Sequence, residues 1–454
     1  MRGAPVFDLV VRGGMLVSAA GERRGDVAVR DGQIAAIAAP GSLGPSAQII
    51  DAAGRHVLPG LVDAHVHLRD PGFTHKEDFG SGTMAAAAGG VTTVMAIPNT
   101  DPPIVTPAAF EAAVRAARAK AAVDFAIFAG VRVADPDGIA AFAGSPAIAF
   151  DVMDDPYQAG TGPWLELFRR VKEAGLPLCF YLNDEAVRGH HLEALAARGL
   201  PAHARWAGST PGALEVLCMG RILPLAALFG VPVVLRSVTT PEGLAFARQM
   251  RRAHPEARVM VEANPHYLVL TADDLAAMGV RAYMSPPLRP AEELPALWAA
   301  VRDGTVDYLG ADHAPHAPAE KAGQDLFGAP PGVIGLETML PLLLTARAQG
   351  RLGLTDIVRL CCEAPARAFG IYPKKGTIAV GADADLVVVD LTERWRIDAG
   401  RFYSRGDRGP FDGREVTGRP RLTLVRGQVA MADGVVAPSG RGRLVAPGLG
   451  DAGG

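Results

Sequence analysis

His65 and His67 stand two positions apart in the run Asp63-Ala64-His65-Val66-His67-Leu68-Arg69. In an extended strand, residues i and i+2 project to the same side. Two imidazoles placed that way can bind one divalent ion, and zinc takes such nitrogen ligands readily. A second group, Gly310-Ala311-Asp312-His313-Ala314-Pro315-His316, also follows a short apolar run. The Asp312 carboxylate could complete the ligand shell and act as a general base. Taken singly, each group also fits a plain surface turn. Together they lie roughly 250 residues apart in a repeating strand–helix pattern, about the span of one barrel, and that combination points to a metal-dependent site.

The elements that must position these groups change style along the chain. Phe7 to Val11 alternates, and Gly13-Gly14 is expected to turn the chain. Asp26–Val29 and Gln33–Ile37 flank Asp31-Gly32, a strong hairpin signal. Strands are also expected at Ile49–Asp51 and His56–Gly60. From Leu61 to about Gly370, apolar runs alternate with Ala- and Leu-rich helical stretches. The strand candidates are Thr92–Ile97, Val123–Phe128, Ala147–Phe150, Leu178–Tyr181, Pro232–Leu235, Val259–Glu262 and Tyr308–Gly310. Helical segments such as Pro107–Ala119, Trp164–Ala174 and Glu292–Arg302 lie between them. Repeated βα units with few hairpins predict a parallel sheet, and the length favours closure. After Pro373 the strand style returns at Asp385–Asp390 and Arg421–Gly427. The fold expected is an α/β TIM-type (β/α)8 barrel with a small β-sandwich domain built from both chain termini. Residues 1–58 and 373–445 would form the β-domain, 59–372 the barrel that carries the metal site, and 446–454 a flexible end. The whole Gly- and Arg-rich stretch from Ala437 onward reads as a loose tail.

Composition narrows the function classes. Among the 454 residues, 49% are hydrophobic and 20% charged, and the net charge is −3. That is ordinary for a globular enzyme and suggests no nucleic-acid or membrane partner. Cys179, Cys218, Cys361 and Cys362 fit neither a zinc ribbon nor a disulfide framework, so free thiols in a reducing compartment are expected. Met1 to Val11 lacks the apolar core of a signal peptide, and no apolar run reaches the ~20 residues of a membrane span. A cytoplasmic location follows as an expectation.

Further segments carry a resemblance. They are His65-Val66-His67-Leu68-Arg69-Asp70-Pro71-Gly72, Ala87–Val94 leading to Pro98-Asn99-Thr100, and Asn264-Pro265-His266-Tyr267-Leu268. Ser285-Pro286-Pro287-Leu288-Arg289, Asp312–Pro318, Gly335-Leu336-Glu337-Thr338 and Gly381–Leu386 complete the series. In this order the chain resembles, over nearly its whole length, the dihydroorotase, hydantoinase and allantoinase group of the amidohydrolase superfamily. Dihydroorotases are the most similar subgroup by the segments around Asp312 and Glu337. The resemblance implies that His65, His67 and Asp312 hold the more buried metal, zinc, and that Asp312 is the catalytic acid/base. It implies that Arg69 and Asn99 hold a substrate carboxylate and that His316 is a further substrate contact. An Arg fork suits a planar carboxylate. A homo-oligomer, dimer or tetramer, is implied in the same way.

The chain also departs from that pattern. Such proteins often use two metals, bridged by a carboxylated lysine or an aspartate after the fourth strand. Here the region reads Ala149-Phe150-Asp151-Val152-Met153-Asp154-Asp155, without lysine. Asp151 is the favoured fourth ligand, with Asp154 and Asp155 as alternatives. Histidines expected at the ends of the fifth and sixth strands are replaced by Tyr181 and by Ser237, which follows Arg236. Neutral Tyr and Ser are poor zinc ligands. His190, His191 and His203 could restore a second site but read as exposed helix and loop residues. Ser285, a substrate-side position, stands where dihydroorotases usually carry Asn, and Pro331 where they carry Phe. The expectation is therefore a one-metal enzyme that opens, or in reverse closes, a cyclic amide or ureide. The alternatives are a hydantoinase- or allantoinase-type hydrolase, a non-catalytic scaffold for a transcarbamoylase, and a deaminase on the same fold.

Overall fold

The computed structural model describes residues 7–448. Eight parallel strands form a ring. They are β1 (Leu61–Val66), β2 (Val91–Ala96), β3 (the pieces Asp124–Ile127 and Ala129–Val131), β4 (Phe150–Val152), β5 (Leu178–Tyr181), β6 (Val233–Arg236), β7 (Val259–Ala263) and β8 (Tyr308–Leu309). Phe128 interrupts β3, and backbone bonds from Phe128 N to Ala96 O and from Ala129 N to Ala149 O carry the ring across the gap. A parallel bridge between Val66 and His313 closes it. The apolar run Ala147–Ala149 hydrogen-bonds as it enters the barrel, but the strand proper is Phe150–Val152, so Asp151 sits in its middle.

The strands are buried on both faces, which is why they read as nearly continuous apolar runs. Side chains such as Val62, Ala64, Met95, Phe128, Ile148, Cys179, Val234 and Tyr308 form one cluster with Phe369, Ile371 and Val445. A second cluster joins the strands to the helices, including Phe79–Gly89, Pro107–Lys120, Thr161–Ala174 and Leu294–Arg302. The helix Gly212–Phe229 belongs to the outer layer of the barrel. With the short helix Ala202–Ala207 before it, it makes up an apolar stretch, Ala202–Phe229, long enough by length and composition to cross a membrane. In the structure Leu214, Cys218, Met219, Ile222, Leu223 and Ala226 pack against the barrel, and Glu215 is buried among Thr239, Thr240 and Arg289.

Strands from both ends of the chain build a separate nine-stranded sheet, with His56–Pro59 pairing both Phe7–Ser18 and Leu386–Arg396. The sandwich takes the form of one sheet curled on itself. Ile34 N donates to Ala382 O, and Leu9, Val11, Val27, Val57, Leu386 and Leu424 fill its interior. Asp31 and Gly32 both have positive φ, 53° and 79°, as a primed hairpin turn requires. Gly13-Gly14 does not turn the chain. The strand runs on from Phe7 to Ser18, with a bulge between Val11 and Gly14. Gly13 takes the left-handed φ of 73° and donates its N–H to Asp26, while a Cβ on Gly14 would strike Val57.

The end of the chain is tied down as far as it is described. The N–H groups of residues 440–442 all donate to Ala121 O, Arg443 N donates to Asp124, and Val445 N donates to Phe125 O. Gly448 N reaches Gly370 O. The expected loose tail from Ala437 is therefore held along the barrel from 440 to 448, and its remaining residues, 449–454, lie outside the described region.

Candidate active site

His65 is the penultimate residue of β1 and His67 lies just past its end, so both rings reach the carboxyl-terminal rim. Each Nε2 lies 3.3 Å from Asp312 Oδ1, and the ring centroids are 5.3 Å apart. In a tetrahedral zinc site with bonds of about 2.0–2.1 Å, ligand atoms stand roughly 3.3 Å from one another, so the spacing fits an ion. The other ring nitrogens are already engaged. Glu262 Oε1 accepts from His65 Nδ1 at 2.5 Å, and Asn99 Oδ1 accepts from His67 Nδ1 at 2.9 Å. Both Nε2 atoms are thereby turned toward Asp312, the outer support that metal-binding histidines need.

Burial would raise the Asp312 carboxyl, but the neighbouring His65 and His67 imidazoles outweigh it and hold Asp312 well below the usual carboxylate range. Burial pushes His67 down to about 4, so the ring is neutral at physiological pH, the form a metal ligand must take. His65 is raised, because Glu262 and Asp312 outweigh its burial. Asp63 is buried beneath, accepting from His65 N and Ala311 N, and pins the end of β1 to the segment after β8. Three non-glycine residues around the site, Arg69, Ser237 and Asp312, hold positive φ of 58°, 51° and 44°. Each costs on the order of 1–3 kcal/mol and persists because the surrounding fold over-determines it.

These groups line a cavity of about 420 Å³ with Asn99, Asp151, Tyr181, Arg236, Ser285, His316 and Pro331. Arg69 makes one end cationic, while Lys76 stands behind His316, off the cavity wall and paired with Glu320 at 3.0 Å. His316 Nδ1 lies 3.4 Å from Lys76 Nζ, and Arg69 Nη2 lies 3.4 Å from His316 Nε2. His316 Nε2 is also 3.0 Å from Pro331 O. A neutral ring protonated at Nε2 donates to Pro331 O and accepts from Lys76. Burial, then Arg69 and Lys76, push His316 down to about 3. Arg69 also donates from Nε to Pro315 O.

The opposite side differs from a metal site. Asp151 lies on the cavity wall but outside the group whose ligand atoms converge, because its Oδ2 takes a 2.8 Å bond from Arg236 Nε. Asp154 accepts from Val133 N and Ala134 N, and Asp155 from Tyr157 N and Glu185 N, so both shape loops. Tyr181 donates to Ser285 Oγ at 2.9 Å, and Ser237 is buried with its hydroxyl unpartnered. His190, His191 and His203 lie on helical segments away from the cavity wall. Of the residues singled out in the sequence, His65, His67, Arg69, Asn99, Asp151, Ser285, Asp312 and His316 all meet at this cavity.

Residues 238–430 match the Amidohydrolase family and residues 54–158 the Dihydro-orotase-like family. An L-hydantoinase of Paenarthrobacter aurescens is 35% identical over 97% of this chain and 98% of its own. A dihydroorotase of Methanothermobacter thermautotrophicus is 38% identical over 92% of this chain and 94% of its own. The chain belongs to the amidohydrolase family. Within it the chain is a cyclic amide hydrolase, in the branch that holds hydantoinases, dihydroorotases and allantoinases. The solved L-hydantoinase (dihydropyrimidinase) from Arthrobacter aurescens superposes with a TM-score of 0.92 at 34% identity, covering 97% of this chain and 100% of that one. In this amidohydrolase, three site residues escaped sequence reasoning. Glu262 sits in a strand-forming run, Arg236 stands out in the sequence only as the neighbour of Ser237, and Lys76 lies in a loop with no motif. Only a charged residue inside an otherwise apolar strand, as at Glu262 and Arg236, could have signalled them.

Proposed function

We propose that this amidohydrolase hydrolyses, or in reverse closes, a cyclic amide that carries an ionised carboxylate, with dihydroorotate as the first substrate to test. The barrel, residues 59–372, would hold the chemistry, and residues 1–58 with 373–445 the accessory β-domain. The observation that carries the reading is the pairing of two ends in one cavity: the His65–His67–Asp312 group at one, Arg69 and His316 at the other. A single zinc ion held by His65, His67 and Asp312 would polarise the ring carbonyl and supply an acidic water. Asp312 takes the proton of the attacking water and returns it to the leaving ring nitrogen. Arg69 binds the substrate carboxylate, and His316, neutral beside it, contributes a contact without competing charge. Asn99 fixes His67 through its Oδ1, which leaves its amide N–H groups for the substrate.

A second reading, a hydantoinase acting on a neutral five-membered ring, is favoured by the apolar side chains Ile97, Val152 and Met153 on the same cavity wall. A scaffold without catalysis would have no use for the converging ligand geometry. A cytoplasmic location and a homo-oligomer belong to the proposal; the four buried free cysteines fit a reducing compartment.

The test is ring opening of dihydroorotate, hydantoin and allantoin by zinc-loaded protein. Dihydroorotate should turn over best, and Asp312→Asn should abolish turnover. Arg69→Met should lower kcat/KM for dihydroorotate about 10–100-fold more than for hydantoin, the worth of a charged hydrogen bond. Equal losses on both rings would remove Arg69 from carboxylate recognition, and hydantoin as the better substrate would establish the second reading.

A further inference from the structure

We propose that the Arg236 guanidinium stands in for a second metal ion, a fixed cation built into the barrel wall that restricts the site to one ion. The inference rests on the one-metal reading above and concerns the other side of the cavity.

Arg236 is the last residue of β6 and is 2% exposed. Its Nε donates to Asp151 Oδ2 at 2.8 Å, and its Nη1 to Glu262 Oε2 at 3.1 Å and to Ala64 O at 3.2 Å. The guanidinium carbon lies 4.7 Å from the centroid of the Phe128 ring. Two buried carboxylates thus share one organic cation, and one of them, Glu262, holds the His65 ligand with its other oxygen. Register pairs Arg236 with Tyr181, whose hydroxyl is turned to Ser285. The next residue, Ser237, points its hydroxyl at no partner.

A second divalent ion does not fit these residues. The carboxylate that would bridge two ions is occupied by the guanidinium. The side chains that follow offer neutral hydroxyls rather than imidazoles. Charge leads to the same answer. Asp151, Glu262 and Asp312 carry three negative charges, which one guanidinium and one divalent ion balance. Adding another divalent ion would leave a buried surplus of two positive charges in a low-dielectric wall. Arg also keeps its charge at any pH the fold survives, so the substitution is permanent.

Elemental mass spectrometry after equilibration with excess zinc and desalting tests this, with folding checked by circular dichroism. Wild type should retain one ion per chain. Tyr181→His with Ser237→His should still retain one, because the guanidinium remains. Adding Arg236→Met to that pair should bring the count to two. Two ions in wild type, or in the Tyr181→His/Ser237→His protein, would overturn the proposal while leaving the one-metal hydrolase chemistry to be judged by its own assay. A folded triple variant that stays at one ion would overturn it as well. If the triple variant does not fold, the count in the double variant decides alone. No ion in wild type would remove the metal centre itself and this inference with it.

Discussion

His65 and His67 present Nε2 to Asp312 because each ring is held from behind, one by Glu262 and the other by Asn99. The support is unequal. Glu262 is a buried carboxylate with four partners, His65, Tyr308, Arg236 and Asn264. Asn99 is a neutral amide at the cavity edge. Removing it should free the His67 ring. Asn99→Ala is expected to weaken zinc affinity about 10–100-fold, as loss of such outer contacts does elsewhere, measured by competition with a chelating dye. Asn99→Asp should restore most of it. Unchanged affinity with a raised KM would make Asn99 a substrate contact alone.

Among the elements, the excursion that links Leu386–Arg396 to Glu415–Val425 bears on the site. It leaves the small sheet and reaches the barrel rim. Tyr403 N and Ser404 N donate to Glu337, Ser404 Oγ donates to Glu77, and Arg405 pairs with Asp78. Glu77 in turn contacts His313, next to Asp312, and Asp407 N donates to His316 O. Burial pushes the Glu337 carboxyl up to about 8, from an ordinary value of 4.5. Between those values the folded chain keeps a proton that the unfolded chain has released. Stability from this group therefore falls as pH rises through the window, by on the order of a few kcal/mol at most. Glu337→Gln keeps an acceptor oxygen and removes the titration. Its Tm should decline less than that of wild type between pH 5 and pH 8.5; parallel curves would place the carboxyl near its ordinary value.

For the whole molecule, barrel and small sheet are joined by a buried charge cluster. Lys375 Nζ lies 2.5 Å from Asp124 in β3, 2.9 Å from Asp383 and 2.7 Å from Asp385. Arg426, from the small sheet, also pairs with Asp124, and Arg443 N donates to it. Three carboxylates converge there as they would on a metal, and the ammonium fills the place. Removing one member of a buried pair leaves the others uncompensated, at a cost of about 3–5 kcal/mol. Lys375→Met should lower the urea midpoint accordingly. An unchanged midpoint would mean that the joint holds by apolar packing alone.

The sequence by itself determined whatever depends on neighbours along the chain. The Asp31-Gly32 hairpin, the order of strands and helices, and the placement of His65, His67 and Asp312 at strand ends are all local patterns, legible as periodicity and turn chemistry. Only the tertiary structure decided what those residues meet. Glu262 lies 197 positions from the His65 it supports, and Arg236 lies 85 from Asp151. No spacing rule reports such pairs, because they arise from the closure of the ring and the register of its strands. The same holds for Gly13-Gly14, a bulge rather than a turn, with Ala52 and Val57 packed against Gly14, and for residues 440–448, held by backbone bonds to a barrel strand and loop that composition does not reveal. A local pattern states which groups a segment offers; the closed barrel, by excluding water and bringing distant charges together, decides which of them become ligands, supports or counter-ions.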